Sequence, residues 1–237
     1  MRIEDLAVKI FADGADLGGM LEMYSNPLIK GFTTNPTLMR KAGIADYKSF
    51  AKEILGEIRD RPISFEVYSD DFDEMSRQAE EIAGWGGNVY VKIPVTNTRG
   101  DVSYGLVNEL SHAGVKVNVT ALMILDQVRE VGAAVAGGAA ACVSVFAGRI
   151  ADTGRDPVPV MAEAVEILKS SPNAELIWAS PRELLNIFQA DEVGCHIITA
   201  TSDVLRKLPL IGKELSEYSL DTVKMFYEDA RGAGYEL

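Results

Sequence analysis

The sequence predicts a (β/α)8 barrel of the TIM type, and three observations predict it. Eight short apolar, β-branched runs recur at intervals of roughly 20–33 residues. Amphipathic helical patterns fill the intervals, and no linker or low-complexity tract divides the 237 residues. Such intervals suit one strand and one helix each, and eight units in about 200 residues match the count and length of a closed barrel. An open doubly wound sheet would need an early glycine-rich dinucleotide turn, a spacing that Gly14-Ala-Asp-Leu-Gly18-Gly19 lacks. Residues 1–237 are therefore expected to form a single domain, with 208–237 as a C-terminal helical extension.

In chain order the first four strands are expected at Val8–Asp13, Ile29–Thr34, Ile63–Tyr68 and Asn88–Ile93. The last four are expected at Val115–Val119, Ala141–Phe146, Glu175–Ala179 and Cys195–Thr199. Between them, Tyr47, Phe50, Ala51, Ile54, Leu55 and Ile58 share one face at a period of 3.6. Phe72, Met75, Ala79, Ile82 and Ala83 repeat the pattern, as do Val102, Leu106, Val107 and Leu110. Asn35-Pro36 reads as a helix start, with Asn as N-cap and Pro in the first turn. Ser180-Pro-Arg-Glu183 reads as a capping box, and Thr120 as a possible N-cap. Beyond the last strand, Leu220, Val223, Phe226 and Tyr227 mark a helix that could cover the barrel or dock on a neighbouring subunit.

Composition narrows the function classes. Hydrophobic residues are 47% and charged residues 24%, as in an ordinary globular protein. The formal net charge of −12, from 23 basic and 35 acidic side chains, argues against nucleic acid or an acidic membrane as partner. An anionic small molecule would need a local basic pocket. Met1-Arg-Ile-Glu-Asp5 turns acidic at once, so no secretory leader is expected. Gly132–Gly148 is too short and too weakly apolar for a membrane span. Cys142 and Cys195 lie far apart and lack metal-ligand spacing apart from His196, which would point to the opposite strand face, and this suggests buried reduced thiols in a cytoplasmic setting.

Chemistry in such a barrel collects at the carboxyl ends of the strands. Lys92, in Asn88-Val-Tyr-Val-Lys-Ile-Pro94, ends an apolar strand where an unpaired ammonium is costly. Burial favours the free amine, the form that attacks a carbonyl to give a Schiff base. The other strand ends offer Asp13, Thr33-Thr-Asn-Pro36, Glu66, Asn118-Val-Thr120, Ser144-Val-Phe146 with Arg149, and Ser180-Pro-Arg182. Strand parity puts Glu66 on the face of Ser64 and Tyr68, and Asn118 on that of Thr120. Each residue alone has a bland reading. Asp13 could cap a helix or pair with Lys92, and Arg149 could pair with Asp152. Together, inward Asp, Glu, Lys and Asn are what acid–base and carbonyl chemistry requires, and Arg149 and Arg182 could bind a phosphate.

Four segments carry a family resemblance: Gly31-Phe-Thr-Thr-Asn-Pro-Thr37, Val91-Lys-Ile-Pro94, Val117-Asn-Val-Thr120 and Ser144-Val-Phe-Ala-Gly-Arg149. In order and spacing they resemble the transaldolases, above all the small members that include the fructose-6-phosphate aldolases. The likeness extends to Phe11-Ala-Asp13 and Ala179-Ser-Pro-Arg182, and departs from the usual pattern at Val145 and Ala147. The resemblance implies a class I aldolase-type barrel with no metal and no cofactor, acting on small sugar phosphates in carbohydrate metabolism. It implies Lys92 as Schiff-base lysine, Glu66 as acid–base catalyst through a water, and Asp13 as the group that handles the substrate hydroxyl proton. Asn35, Asn118, Thr120 and Ser144 would hold the catalytic water and the dihydroxyacetone hydroxyls, with Thr34 beside them. Arg149, Ser180 and Arg182 would bind the sugar phosphate. Glu66 and Phe146 follow the transaldolase pattern, where the aldolase branch has Gln and Tyr. The implied reaction moves a dihydroxyacetone unit from sedoheptulose 7-phosphate or fructose 6-phosphate to an aldose phosphate. An aldolase that releases free dihydroxyacetone, or a non-catalytic sugar-phosphate-binding barrel, are the alternatives. The resemblance also implies a homo-oligomer, a pentamer or decamer, with the C-terminal helix near Phe226 as exchange element.

Overall fold

A computed structural model describes residues 3–236. Met1 and Arg2, part of the acidic opening segment, and Leu237 lie outside the described residues. The first half alternates β1 (Lys9–Asp13), α1 (Leu17–Ser25), β2 (Ile29–Thr33), α2 (Pro36–Lys41), α3 (Tyr47–Glu57) and β3 (Ile63–Glu66). It continues with α4 (Phe72–Ala83), β4 (Val89–Pro94), α5 (Tyr104–His112) and β5 (Val117–Leu122). The second half runs α6 (Leu125–Val135), β6 (Ala141–Val145), α7 (Ala147–Ala151), α8 (Val158–Leu168), β7 (Ala174–Ala179) and α9 (Leu185–Glu192). β8 (Ile197–Thr201), α10 (Ser202–Leu205) and α11 (Leu215–Gly232) complete it. The strands pair in chain order, all parallel, and β8 returns to β1 to close the barrel. All eight expected strands are present, with ends displaced by up to three residues.

The apolar runs divide between two cores. One lies between the barrel wall and the helices and takes Phe32, Phe65, Trp178, Ile54, Met75 and Met161. α3 turns Phe50, Ala51 and Ile54 to it, and α4 turns Met75, Ala79 and Ile82, as their periodicity requires. The second fills the barrel axis with Phe11, Cys142, Ile177, Ala179 and Ile197. Gly31 has to lack a side chain here, because a Cβ would stand 2.5 Å from the Phe11 ring. Phe11 thus plugs the floor beneath the polar strand ends. Both cysteines are free and buried, which pushes their thiols well above the usual range.

Four expectations need correction. Val102 is half exposed and forms a bridge with Thr96, so it precedes α5 and does not join its buried face. Tyr68 lies beyond β3 and is 70% exposed, so it does not point into the barrel with Glu66. Thr120 sits inside β5 and caps no helix. α11 does not cover the barrel: none of its residues is buried, and Leu220, Val223, Phe226 and Tyr227 are all exposed. Among the described residues, no helix is long and apolar enough to cross a membrane.

Candidate active site

Register builds the centre of the site. Glu66 and Lys92 are direct partners on β3 and β4, and Lys92 and Asn118 are partners on β4 and β5. Parallel neighbours in register point the same way, here inward. Lys92 Nζ therefore stands 3.0 Å from Glu66 Oε2 and donates to the Thr34 carbonyl at 2.8 Å. Its side chain is 7% exposed and that of Glu66 18%. The lysine is buried, as its strand implies, but ion-paired where the sequence suggested a bare amine. The pair places a proton acceptor in direct reach of the amine nitrogen.

Asp13 ends β1 and accepts a hydrogen bond from Thr33 Oγ1 at 2.8 Å. Thr33 Oγ1 also meets Thr199 Oγ1 at 2.6 Å. Burial raises the Asp13 carboxyl above the usual range, more strongly than the nearby Lys92 charge lowers it. The N-cap of α1 is Asp16, whose carboxylate accepts from Gly19 N. That leaves Asp13 to face the cavity.

On the other side of Lys92, Asn118 donates to Ser64 Oγ at 3.0 Å and accepts from Ser144 Oγ at 2.7 Å. Thr34 Oγ1 donates to the Ser64 carbonyl, closing a buried polar belt from β2 to β6. Thr120 Oγ1 is buried without a partner. A fixed hydroxyl of this kind at the cavity wall is available to a water or a substrate hydroxyl. The next residue, Ala121, has φ 67°, a left-handed conformation in which the β5–β6 register shifts.

The strand ends open into a cavity of about 530 Å³. Of the residues singled out in the sequence, Asp13, Asn35, Glu66, Lys92, Thr120, Ser144, Phe146, Arg149, Ser180 and Arg182 line it. Thr34 and Asn118 stand behind that lining, where the Thr34 carbonyl accepts from Lys92 and Asn118 Oδ1 accepts from Ser144. Asn35 caps α2, accepting from Leu38 N at 2.9 Å, while still lining the cavity. Thr33, grouped with Thr34 and Asn35 at the second strand end, lines it too, while Lys41 and Thr199 line it and were missed. Parity could have found Thr199, two residues on from Ile197 along an inward face. Lys41, at the end of a short helix, carries no such signal. The polar loop after β4 is tied down instead: Arg99 pairs with Asp70 and Asp101 and does not line the cavity.

Two readings of the β6 and β7 ends are overturned. Ser180 is no helix cap, since α9 starts at Leu185 and the side chain of Asn186 accepts from the amides of Arg182 and Glu183. Ser180 instead takes the left-handed φ of 59°. Asp152 pairs with Arg182 and not with Arg149, and Arg182 holds its carboxyl below the usual range.

A buried Lys–Glu pair, an aspartate whose carboxyl is raised by burial and two arginines thus share one mouth of a closed (β/α)8 barrel. Residues 10–237 match the family described as Transaldolase/Fructose-6-phosphate aldolase, and the chain belongs to it. A "Probable transaldolase" of Thermoanaerobacter sp. (strain X514) is 36% identical over 233 residues, which is 97% of this chain and 100% of the relative. One of Dehalococcoides mccartyi is 34% identical over 218 residues, 90% of this chain and 97% of the relative. The crystal structure of 2,3-dimethylmalate lyase superposes with a TM-score of 0.53 at 13% identity, covering 98% of this chain and 86% of that one. At that identity the likeness concerns the fold alone.

Proposed function

We propose that the protein is a transaldolase that moves a dihydroxyacetone unit between sugar phosphates through a Schiff base on Lys92. The observation that carries this is the 3.0 Å Lys92–Glu66 pair facing Asp13 across one cavity. Glu66 takes a proton from the Lys92 ammonium, and the free amine attacks the C2 carbonyl of the ketose phosphate. One proton then passes from the attacking nitrogen to the C2 oxygen, Glu66 returns the proton it took, and the oxygen leaves as water. Asp13 takes the C4 hydroxyl proton as the C3–C4 bond breaks. The electrons of that bond pass into the iminium, giving an enamine on Lys92 and an aldose phosphate. The enamine attacks the acceptor aldehyde, Asp13 returns its proton to the new hydroxyl, and water hydrolyses the imine. A carboxyl raised by burial suits both halves of Asp13's task. Arg149, Ser180 and Arg182 hold the phosphate, while Asn35, Thr120 and Ser144 hold the dihydroxyacetone hydroxyls and the hydrolytic water.

Glu66 and Phe146 favour transfer over release of free dihydroxyacetone. A glutamate can exchange protons with Lys92 near neutral pH, which a glutamine cannot. The enamine must meanwhile be kept from protons until the acceptor arrives. The test is donor cleavage with and without an aldose phosphate acceptor. Cleavage of fructose 6-phosphate that depends on the acceptor supports the transaldolase, and equal cleavage without acceptor supports the aldolase. A homo-oligomer built through α11 belongs to the same proposal, since its seven large apolar side chains from Leu215 to Tyr227 are exposed.

A further inference from the structure

We infer that Asp152 is a positioning residue for the phosphate site, acting by holding Arg182 in a fixed pose beside Arg149. The inference rests on the phosphate role proposed for the two arginines. Arg182 sits on a loop, where a long flexible side chain would ordinarily sample many rotamers. Three anchors remove that freedom. Asn186 Oδ1 accepts from Arg182 N at 2.8 Å and fixes the backbone. Asp152 accepts from Nε at 2.9 Å and from Nη2, so it takes one whole edge of the guanidinium. Gly148 supplies the third anchor. A Cβ there would stand 1.5 Å from the Ser180 carbonyl oxygen and 3.4 Å from Arg182 Nε. The β7 loop therefore lies directly on α7, and this brings Arg182 to Asp152, at the C-cap of that helix.

The consequence is geometric and electrostatic. Asp152 takes Nε–H and one Nη2–H, which leaves the Nη1 hydrogens and the outer Nη2 hydrogen as donors, and Arg182 lines the cavity with Arg149. Two cations and one carboxylate leave a net single positive charge for a phosphate. Asp152 and Arg182 are 47% and 43% exposed, so the pair adds little stability, and its value lies in pre-organisation. An unfixed arginine must be ordered at the moment of binding, which weakens affinity by about three- to tenfold for one such side chain.

Titration of the full chain with inorganic phosphate reads the site without any chemistry at Lys92. Asp152→Ala is expected to weaken phosphate binding about three- to tenfold, and Asp152→Glu to recover part of it. In turnover the same variant should raise KM for fructose 6-phosphate and leave kcat within about twofold. Borohydride trapping of unphosphorylated dihydroxyacetone on Lys92 should be unchanged. In Arg182→Ala, the further loss of Asp152 should have no effect. Unaltered phosphate affinity in Asp152→Ala would overturn the inference. Tighter binding would also overturn it, making Asp152 a competitor of the phosphate. Equal losses for phosphorylated and unphosphorylated ligands would do the same and mark a merely structural residue. If the wild-type chain binds phosphate but traps no ketose, the proposed reaction fails while the Asp152 result still stands on its own.

Discussion

Replacing Lys92 with methionine should destabilise the fold at neutral pH, and less so in acid. Methionine keeps an unbranched apolar stem of similar reach, so packing around β4 is preserved. What is lost is the cation 3.0 Å from Glu66 and the donor to the Thr34 carbonyl at 2.8 Å. Removing one member of a buried pair costs about 3–5 kcal/mol. Glu66 keeps 18% of its side chain exposed, so part of that penalty is met by water. We expect about 2–3 kcal/mol, or a fall of about 5–10 °C in Tm for a domain of this size. The acid dependence comes from Asp13. Lys92 is the strongest influence holding that carboxyl down against burial, so the variant raises it further. A folded-state acid raised above its unfolded value binds more protons in the native state, and stability then falls as pH rises. The deficit against wild type should therefore shrink from pH 7 towards pH 4. Melting curves by circular dichroism at both pH values read it. A Lys92→Met protein as stable as wild type at pH 7 would refute the reasoning, as would a deficit that grows in acid.

Other outcomes follow from neighbouring residues. Asp13→Asn should raise neutral-pH stability by about 0.5–2 kcal/mol, because it removes a carboxyl whose ionisation folding opposes. It should still form a trapped adduct with fructose 6-phosphate and lose donor cleavage, measured as aldose phosphate released. Thr120→Val removes a buried hydroxyl without a partner, so Tm should hold or rise by a few degrees while kcat falls about 10- to 100-fold. Gly148→Ala forces its new Cβ onto the Ser180 carbonyl and should cost about 1–3 kcal/mol, with loss of phosphate binding by calorimetry.

What the sequence disclosed follows from which interactions are local. Strand periodicity and parity are, and they point Asp13, Glu66, Lys92 and Asn118 to one interior. Asn35 was legible twice over, as a cap and as a cavity residue, and the structure keeps both. Residue type does not separate Asp13 from Asp16, and only its place at the strand end favours Asp13 in the sequence. The cap at Asp16 separates them, because it uses up one carboxylate and leaves the other facing Lys92. Ser180 misled because Ser-Pro-Arg-Glu satisfies the capping-box pattern locally. The contact that decides its conformation lies 32 positions away, where Gly148 admits the Ser180 carbonyl. The Asp152–Arg182 pair spans 30 positions and was hidden for the same reason. α11 carried an amphipathic pattern that the barrel does not use, since the core is complete without it.

The central claim is covalent chemistry at Lys92, and one measurement meets it directly. The protein is incubated with fructose 6-phosphate, reduced with sodium borohydride, and weighed intact before peptide mapping. The expected result is a reduced adduct located on the peptide carrying Lys92, absent from Lys92→Met. No adduct with fructose 6-phosphate or with any of a panel of ketose phosphates, or an adduct on another lysine, would contradict it.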